Sequence, residues 1–306
     1  MASLREVIQN THRVLDAAGI HDSRLEAEVM VMNQMRLPRQ DIFSNQESEV
    51  APQQEQELAA TVERRLTREP LAYILGVREF YGINLLVNSN VLIPRPETEN
   101  LVEQALFMAL MGMETAELVI ADVGTGTGAI AINLAIHLPA AQIYATDLTD
   151  EVLDVASYNI RAHNVADRIT LLQGDLLEPL PQPVDLIVAN LPYVPSQRIP
   201  TLQPEIQWEP RPALDGGEEG LDHIRRLLEQ AASSPLEDGK AGRFPDRLPD
   251  RLKNNGIILL ELDPEQVPAV MEMADRLFPG AETSVEPDIS QRDRIFVINR
   301  GQGLSP

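Results

Sequence analysis

Residues 121–131 read ADVGTGTGAIA, an apolar run that breaks into three alternating glycines and then opens a helix-like stretch. Gly124, Gly126 and Gly128 allow a tight turn and a close approach of backbone to a ligand, and the helix start behind them offers N–H groups with no helical partner. Standing alone, such a loop could equally be a tight strand-to-helix turn. Two acids downstream change the balance. The next apolar run ends in Asp147, about 20 residues on, where a carboxylate can accept both hydrogens of a ribose diol. The run after that is followed by Gly174 and Asp175, near where an adenine amino group would sit. One acid at a strand end is ordinary helix capping; two after successive runs are better explained by a nucleoside. The spacing Gly-x-Gly-x-Gly differs from the dinucleotide pattern Gly-x-Gly-x-x-Gly, and no downstream residues suggest hydride chemistry. S-adenosylmethionine (SAM) is the better fit.

The fourth apolar run ends in VANLPYVP, residues 188–195. A methyl donor needs a nucleophile held in line with the methyl carbon. If that nucleophile is a planar nitrogen, its lone pair is delocalised and it attacks poorly. Groups that accept its N–H hydrogens localise charge on the nitrogen as the methyl approaches. Asn190 offers a side-chain carbonyl and Leu191 a main-chain carbonyl. Pro192 has no N–H and stiffens the turn. Tyr193 offers a ring to stack on a flat substrate group. No strong base is needed, because the proton leaves after transfer. The competing reading is a plain strand-ending turn, since Asn and Pro are turn residues.

The elements that must position these residues are also legible. Residues 1–80 read as helices: Ser3 caps the first, Asp22 a second that Pro38 ends, and 51–69 is a third opened near Pro52. Residues 78–96 carry two β-rich stretches around NSN, read as a hairpin leading into the next domain. Short, nearly continuous apolar runs follow at 118–123, 142–146, 169–173, 184–189 and 256–262, of the kind a parallel sheet buries on both faces. Helical stretches at 128–137, 150–163, 218–232 and 264–277 separate them. Strands at 283–287 and 293–299 have no helix between them and should pair antiparallel. The expectation is an α/β chain: a small N-terminal helical bundle (1–80), a linking hairpin, and a seven-stranded, Rossmann-like SAM-dependent methyltransferase domain (81–306). Residues 233–252, rich in Pro, Gly and charge, read as an exposed loop insertion.

Composition limits the chemistry. There are no cysteines, which excludes disulfides, thiolate metal sites and a cysteine nucleophile. The five histidines are scattered without ligand spacing, and no metal is expected; His137 falls at a helix C-terminus, where a cation suits the dipole. The net charge of −22 disfavours a duplex nucleic-acid substrate. No membrane-length apolar run and no signal-like N-terminal segment is present, so a cytoplasmic protein is expected.

Longer stretches carry a resemblance. NLPY resembles the (Asn/Asp/Ser)-Pro-Pro-(Tyr/Phe) motif of amino-methyltransferases. REPLAYILGVREFYG (68–82), VLIPRPETENLVE (91–103), DVGTGTGAIA (122–131) and EPRPALDGGEEGLD (209–222) are similar to the peptide chain release factor glutamine N5-methyltransferases, the PrmC/HemK family. The likeness runs from the N-terminal helices to DISQRDRIFVI (288–298). It implies methylation of the side-chain amide nitrogen of the glutamine in the Gly-Gly-Gln motif of class 1 release factors. It implies SAM contacts from Gly124, Thr125, Gly126, Thr127, Gly128, Asp147 and Asn190, with Asp175 and Leu176 around the adenine. Asn190, Leu191, Pro192 and Tyr193 would hold the glutamine, with Asn190, Pro192 and Tyr193 as the catalytic turn, and the helical bundle would dock the release factor. Arg95, Glu97 and Arg211 lie in the two long motifs and either shape the substrate pocket or pair with one another to fix the loops. A monomer is expected, with no direct nucleic-acid partner.

Three positions depart from the family pattern: Leu191 stands where proline is usual, Leu176 where an aromatic is common, and Asp263 where glycine is expected. Two other readings stay open. The same Asn…Pro-Tyr geometry serves the N6 amino group of adenine in nucleic acid, which would require base flipping and a basic groove. A SAM-binding protein that docks release factors without catalysis is the other.

Overall fold

The computed structural model describes residues 2–111, 117–232, 251–288 and 291–301. These divide into two compact units, residues 1–77 with 203–208, and residues 78–202 with 209–306.

The first unit is helical: α1 (Leu4–Ala17), α2 (Ser23–Met35), α3 (Arg39–Ser44), α4 (Pro52–Leu66) and α5 (Leu71–Leu75). Ser3 caps α1 in a reciprocal arrangement, its Oγ accepting from Glu6 N at 3.3 Å and its own N donating to Glu6 Oε2 at 2.8 Å. Asp22 precedes α2 but makes no side-chain cap; its carboxylate faces the His21 ring instead. The α2 helix stops at Arg36, which adopts a left-handed conformation (φ 52°) two residues before Pro38. Leu4, Leu15, Met30, Val31, Ile42, Leu58 and Val62 form the core of the unit. Beside them the Arg65 guanidinium is buried, paired with Glu26 at 2.6 Å and Glu205 at 3.0 Å. Glu205 also meets Arg68 at 3.2 Å, and Arg68 donates to the carbonyl of Ala18 at 2.7 Å.

A hairpin of β1 (Val77–Phe80) and β2 (Ile83–Leu86) follows. It turns at Tyr81-Gly82 and not at NSN. Both turn residues have positive φ, 48° and 79°, the mirror-image two-residue turn whose twist suits paired strands. The NSN segment forms a separate turn, closed by Val91 N on the Asn88 carbonyl.

In the second unit the elements are α6 (Pro96–Met111), β3 (Val119–Val123), α7 (Ala129–His137), β4 (Gln142–Asp147), α8 (Asp150–Ala162), β5 (Ile169–Gln173), β6 (Val184–Ala189), α9 (Asp222–Ala232), β7 (Leu252–Glu261), α10 (Val267–Leu277), β8 (Glu282–Pro287) and β9 (Asp293–Asn299). The sheet order is β5-β4-β3-β6-β7-β9-β8, parallel through β7 and antiparallel where β9 meets β7 and β8. Alternation along β6 sends Leu186 and Val188 into one core with α6, α7 and α8, and Ile187 and Ala189 into another with α9 and α10. Helix α6 has no counterpart among the sequence expectations. Strand β7 begins at Leu252, paired with Val184, so the end of the expected 233–252 insertion is strand; 233–250 lie outside the described residues.

Candidate active site

The chain runs outward along the sheet from β3 to β5, then returns to lay β6 against β3. That reversal opens a crevice at the strands' carboxyl ends. The register pairs Val123 with Ala189, so the glycine loop and NLPY leave the sheet side by side. Around them is a cavity of about 460 Å³, within the roughly 300–1,000 Å³ usual for small-molecule sites. Its wall includes Gly124, Thr125, Gly126, Thr127, Asp147, Gly174, Asp175, Leu176, Asn190, Leu191, Pro192, Arg95 and Thr98. Gly128 stands just behind the wall as the cap of α7.

All three loop glycines are left-handed. At Gly124 a Cβ would come within 3.1 Å of Leu191 Cδ2, so the glycine loop packs closely against the Leu191 side chain. Asn159 of α8, buried, donates to the Thr127 carbonyl at 2.9 Å and to the Leu86 carbonyl at 3.1 Å, tying the loop to the hairpin. Asp122 is fully buried under the loop. Its Oδ2 accepts from Thr125 Oγ1 at 2.6 Å and from Ala131 N at 3.1 Å, while Oδ1 has no partner. Burial pushes its carboxyl up to about 7. Asp147 accepts from Gly126 N at 2.9 Å and Leu148 N at 2.8 Å, and burial raises its pKa too. Each oxygen keeps a further lone pair for a hydroxyl donor. Asp175 lines the cavity, but its carboxylate is held from α9 by the Arg226 guanidinium and by Gln230 Nε2 at 3.1 Å. Leu176, buried, adopts φ 51° beside it.

At the other wall, Asn190 Nδ2 donates to Thr98 Oγ1 at 2.9 Å. Among the described residues nothing donates to Asn190 Oδ1 or to the Leu191 carbonyl. Tyr193 is not on the cavity wall; its ring packs among the α9 and α10 residues and its hydroxyl donates to Glu261 Oε1 at 3.3 Å. Burial raises the pKa of both Tyr193 and Glu261. Glu97 is exposed on the first turn of α6 and is not part of the cavity wall. Arg95 is on the wall and pairs with buried Glu209, which also accepts from Ile93 N at 3.0 Å; the IPRP and EPRP loops are thus joined to each other. Arg211 pairs with Asp215 at 3.0 Å.

The DGGEEG stretch locks the backbone beyond NLPY. Val194 N donates to the Leu214 carbonyl and Gly216 N to the Val194 carbonyl, each at 2.9 Å. Gln266 Nε2 donates to the Tyr193 and Gly220 carbonyls, also at 2.9 Å. Asp263 sits at φ −73° and caps the turn carrying Gln266, accepting from Glu265 N at 3.2 Å; the position does not need glycine. Sequence reasoning missed Thr98, Asp122, Glu209, Glu261 and Gln266 as site residues. Thr98 and Glu209 lie inside the long motifs that signalled the family, while Glu261 and Gln266 carry no local signal.

Among the described residues no group of three or more His, Asp or Glu side chains is placed to hold a metal, and no helix is long and apolar enough to cross a membrane.

A family model of the PrmC N-terminal domain matches residues 6–76, and one of ribosomal protein L11 methyltransferase (PrmA) matches residues 100–205. The release factor glutamine methyltransferase of Moorella thermoacetica is 38% identical over 97% of this chain and 99% of its own length. That of Geobacter sulfurreducens is 36% identical over 94% and 93%. The crystal structure of a methyltransferase from Pyrococcus furiosus superposes with a TM-score of 0.50 at 16% identity, over 79% of this chain and 99% of that one, a likeness of fold. The PrmA match is confined to residues 100–205, whereas the curated relatives align over nearly the whole chain, and on that near-full-length identity the chain belongs to the release factor glutamine methyltransferase family.

Proposed function

We propose that this protein transfers a methyl group from SAM to the side-chain amide nitrogen of the glutamine in the Gly-Gly-Gln motif of class 1 release factors. The observation that carries the reading is the state of Asn190: its NH₂ is engaged by Thr98, so Oδ1 is left, with the Leu191 carbonyl, as an acceptor at the cavity beside the glycine loop.

The cavity suits the cofactor. The loop of Gly124, Thr125, Gly126, Thr127 and Gly128 turns through three left-handed glycines that bring bare backbone to the cavity, and Asp147 stands one strand over with lone pairs for a ribose diol. Leu176 and Asp175 face the adenine, Leu176 supplying an aliphatic surface. When bound, SAM supplies an electrophilic methyl carbon on a sulfonium. Asn190 Oδ1 and the Leu191 carbonyl then accept the two hydrogens of the substrate NH₂, turning its lone pair toward that carbon. Arg95 shapes the entrance from its fixed place on Glu209. Pro192 holds the turn, and Tyr193 anchors it through Glu261 instead of stacking on substrate. The helical unit docks the release factor. The protein works as a monomer in the cytoplasm, on a protein and not on nucleic acid.

The test combines purified protein, labelled SAM, a release factor and a competing DNA duplex, with tandem mass spectrometry to locate the methyl group. Label on the Gly-Gly-Gln glutamine that disappears in Asn190→Ala supports the reading. Label on adenine alone replaces the substrate; SAM binding with no label anywhere points to a docking protein without catalysis.

A further inference from the structure

We infer that residues 87–95 form a strap along the cavity wall held by two separate posts, Asn159 setting its cofactor end and Glu209 its substrate end. The inference rests on the SAM and glutamine roles proposed for the glycine loop and the NLPY turn. The strap runs from the end of β2 to the start of α6, and Ser89, Asn90, Val91, Leu92, Pro94 and Arg95 all stand on the cavity wall. It is neither helix nor strand, so regular pairing does not fix where it lies. Side chains from other elements do.

The first post is Asn159 of α8, 1% exposed. Its Oδ1 accepts from Leu86 N at 2.7 Å, and its Nδ2 donates to the Leu86 carbonyl at 3.1 Å and to the Thr127 carbonyl at 2.9 Å. All three partners are main-chain groups of fixed polarity, so the amide fits only one way round. It serves Leu86 as a neighbouring strand would, and its other hydrogen holds the glycine loop. One turn earlier on α8, Ala156 lies 3.7 Å from where a Gly128 Cβ would be, so the helix backs the loop at two points. One side chain thus sets the spacing at which the strap leaves the hairpin beside the glycine loop.

The second post is Glu209, also buried. Its Oε2 accepts from Ile93 N at 3.0 Å and its Oε1 takes the Arg95 guanidinium. Glu209 opens the EPRP loop, whose continuation through Leu214 and Gly216 pairs with Val194 just beyond NLPY. The two posts use different partners throughout. The strap is therefore referred to the glycine loop at one end and to the NLPY turn at the other, and a fault at one post reaches one ligand first.

Two isosteric exchanges separate the posts. Asn159→Asp keeps the acceptor for Leu86 N but turns lone pairs toward two carbonyls, and Glu209→Gln keeps one acceptor but turns its NH₂ toward one of two donors. SAM affinity by calorimetry, steady-state kinetics on the full chain with a release factor, and thermal unfolding are measured on both. Ile160→Ala, a core change beside Asn159 on α8, is the comparison. In Asn159→Asp, SAM affinity is expected to fall by about tenfold or more, with kcat at saturating SAM and release factor KM within about threefold of the parent. In Glu209→Gln, kcat/KM for the release factor is expected to fall by about tenfold or more, with SAM affinity within about threefold. Ile160→Ala lowers the melting temperature and leaves SAM affinity within about threefold of the parent. Three results overturn the inference: the two exchanges weaken both ligands in the same proportion, a folded variant leaves its own ligand unaffected, or Ile160→Ala weakens SAM as much as Asn159→Asp. If Asn159→Asp does not fold, Asn159→Ala and Glu209→Gln decide. The parent separates the two levels. A parent that binds no SAM or leaves Gly-Gly-Gln unmethylated removes the reading beneath, whereas an active parent with undivided variants sinks this inference alone.

Discussion

Gln266 Nε2 and the main-chain carbonyl of Tyr193 lie 2.9 Å apart, 73 residues from one another in sequence. The same amide nitrogen serves the Gly220 carbonyl, so one buried side chain joins the NLPY turn to the DGGEEG loop. Gln266→Ala leaves these carbonyls without that donor. The expected loss of stability is roughly 1–3 kcal/mol, read as a lower denaturant midpoint at unchanged slope, with kcat falling more than SAM affinity.

Gly220 packs against the same carbonyl. A Cβ there would stand 2.2 Å from the Tyr193 oxygen, at φ +75°. Backbone cannot yield as a side chain does, so Gly220→Ala must push the turn away. A stability loss of at least about 2 kcal/mol is expected, together with turnover reduced beyond what the unfolded fraction explains. Activity per folded molecule, measured well below the melting temperature, checks it.

Asp122 gives the protein a pH signature. Its folded pKa of about 7 lies above the ordinary 3.8. Between those values the native state holds a proton that the unfolded chain has released. Stability contributed by this group therefore falls as pH rises from about 4 to about 7 and then levels. Each tenfold difference in proton affinity between the folded and unfolded carboxyl corresponds to about 1.4 kcal/mol. Asp122→Asn retains an oxygen for Thr125 and Ala131 and removes the titration. Its stability relative to the parent should climb across that pH range and flatten above it, as followed by denaturant unfolding at several pH values; parallel pH curves would contradict the buried proton.

Arg65 is the charged centre of the helical unit, its side chain 4% exposed between Glu26 and Glu205. Arg65→Ala leaves the Glu26 carboxylate without its cation and Glu205 with Arg68 alone, and a loss of about 3–5 kcal/mol is expected. Glu205→Gln, at a more exposed partner with Glu26 still in place, should cost roughly 1 kcal/mol or less. Thermal unfolding of the two variants should show that order, and equal effects would place the energy elsewhere.

The parallel strands were legible because burial on both faces makes each a short apolar run with little else it could be, and β3 through β6 fall where those runs lie. The hairpin was legible as a hairpin but misplaced. Asn-Ser-Asn advertises a turn more strongly than Tyr-Gly, and nothing in a tyrosine announces that it will accept φ 48°. Asp22 has the right type and position for a cap, yet its carboxylate goes to His21. In the site, the glycine loop and NLPY were visible as local patterns. The groups that orient them were not: Thr98 meets Asn190 across 92 residues and Glu261 meets Tyr193 across 68, and such pairings exist only once the sheet has brought β6 between β3 and β7. Asp175 was read as an open acceptor because its partners, Arg226 and Gln230, arrive from a helix some 50 residues later.

The hexapeptide QPEIQW, residues 203–208, belongs to the helical unit although it is encoded well downstream of it. Its Glu205 supplies one of the two anions that Arg65 needs. Inheritance is constrained accordingly. A gene fragment ending at codon 77 encodes an incomplete unit, and a chimaera that exchanges the first 77 residues between relatives inherits arginines from one parent and their counter-charge from the other. Recombination across this family should therefore succeed in pairs of crossovers, one near residue 77 and one bracketing 203–208, and the two segments should change together or not at all.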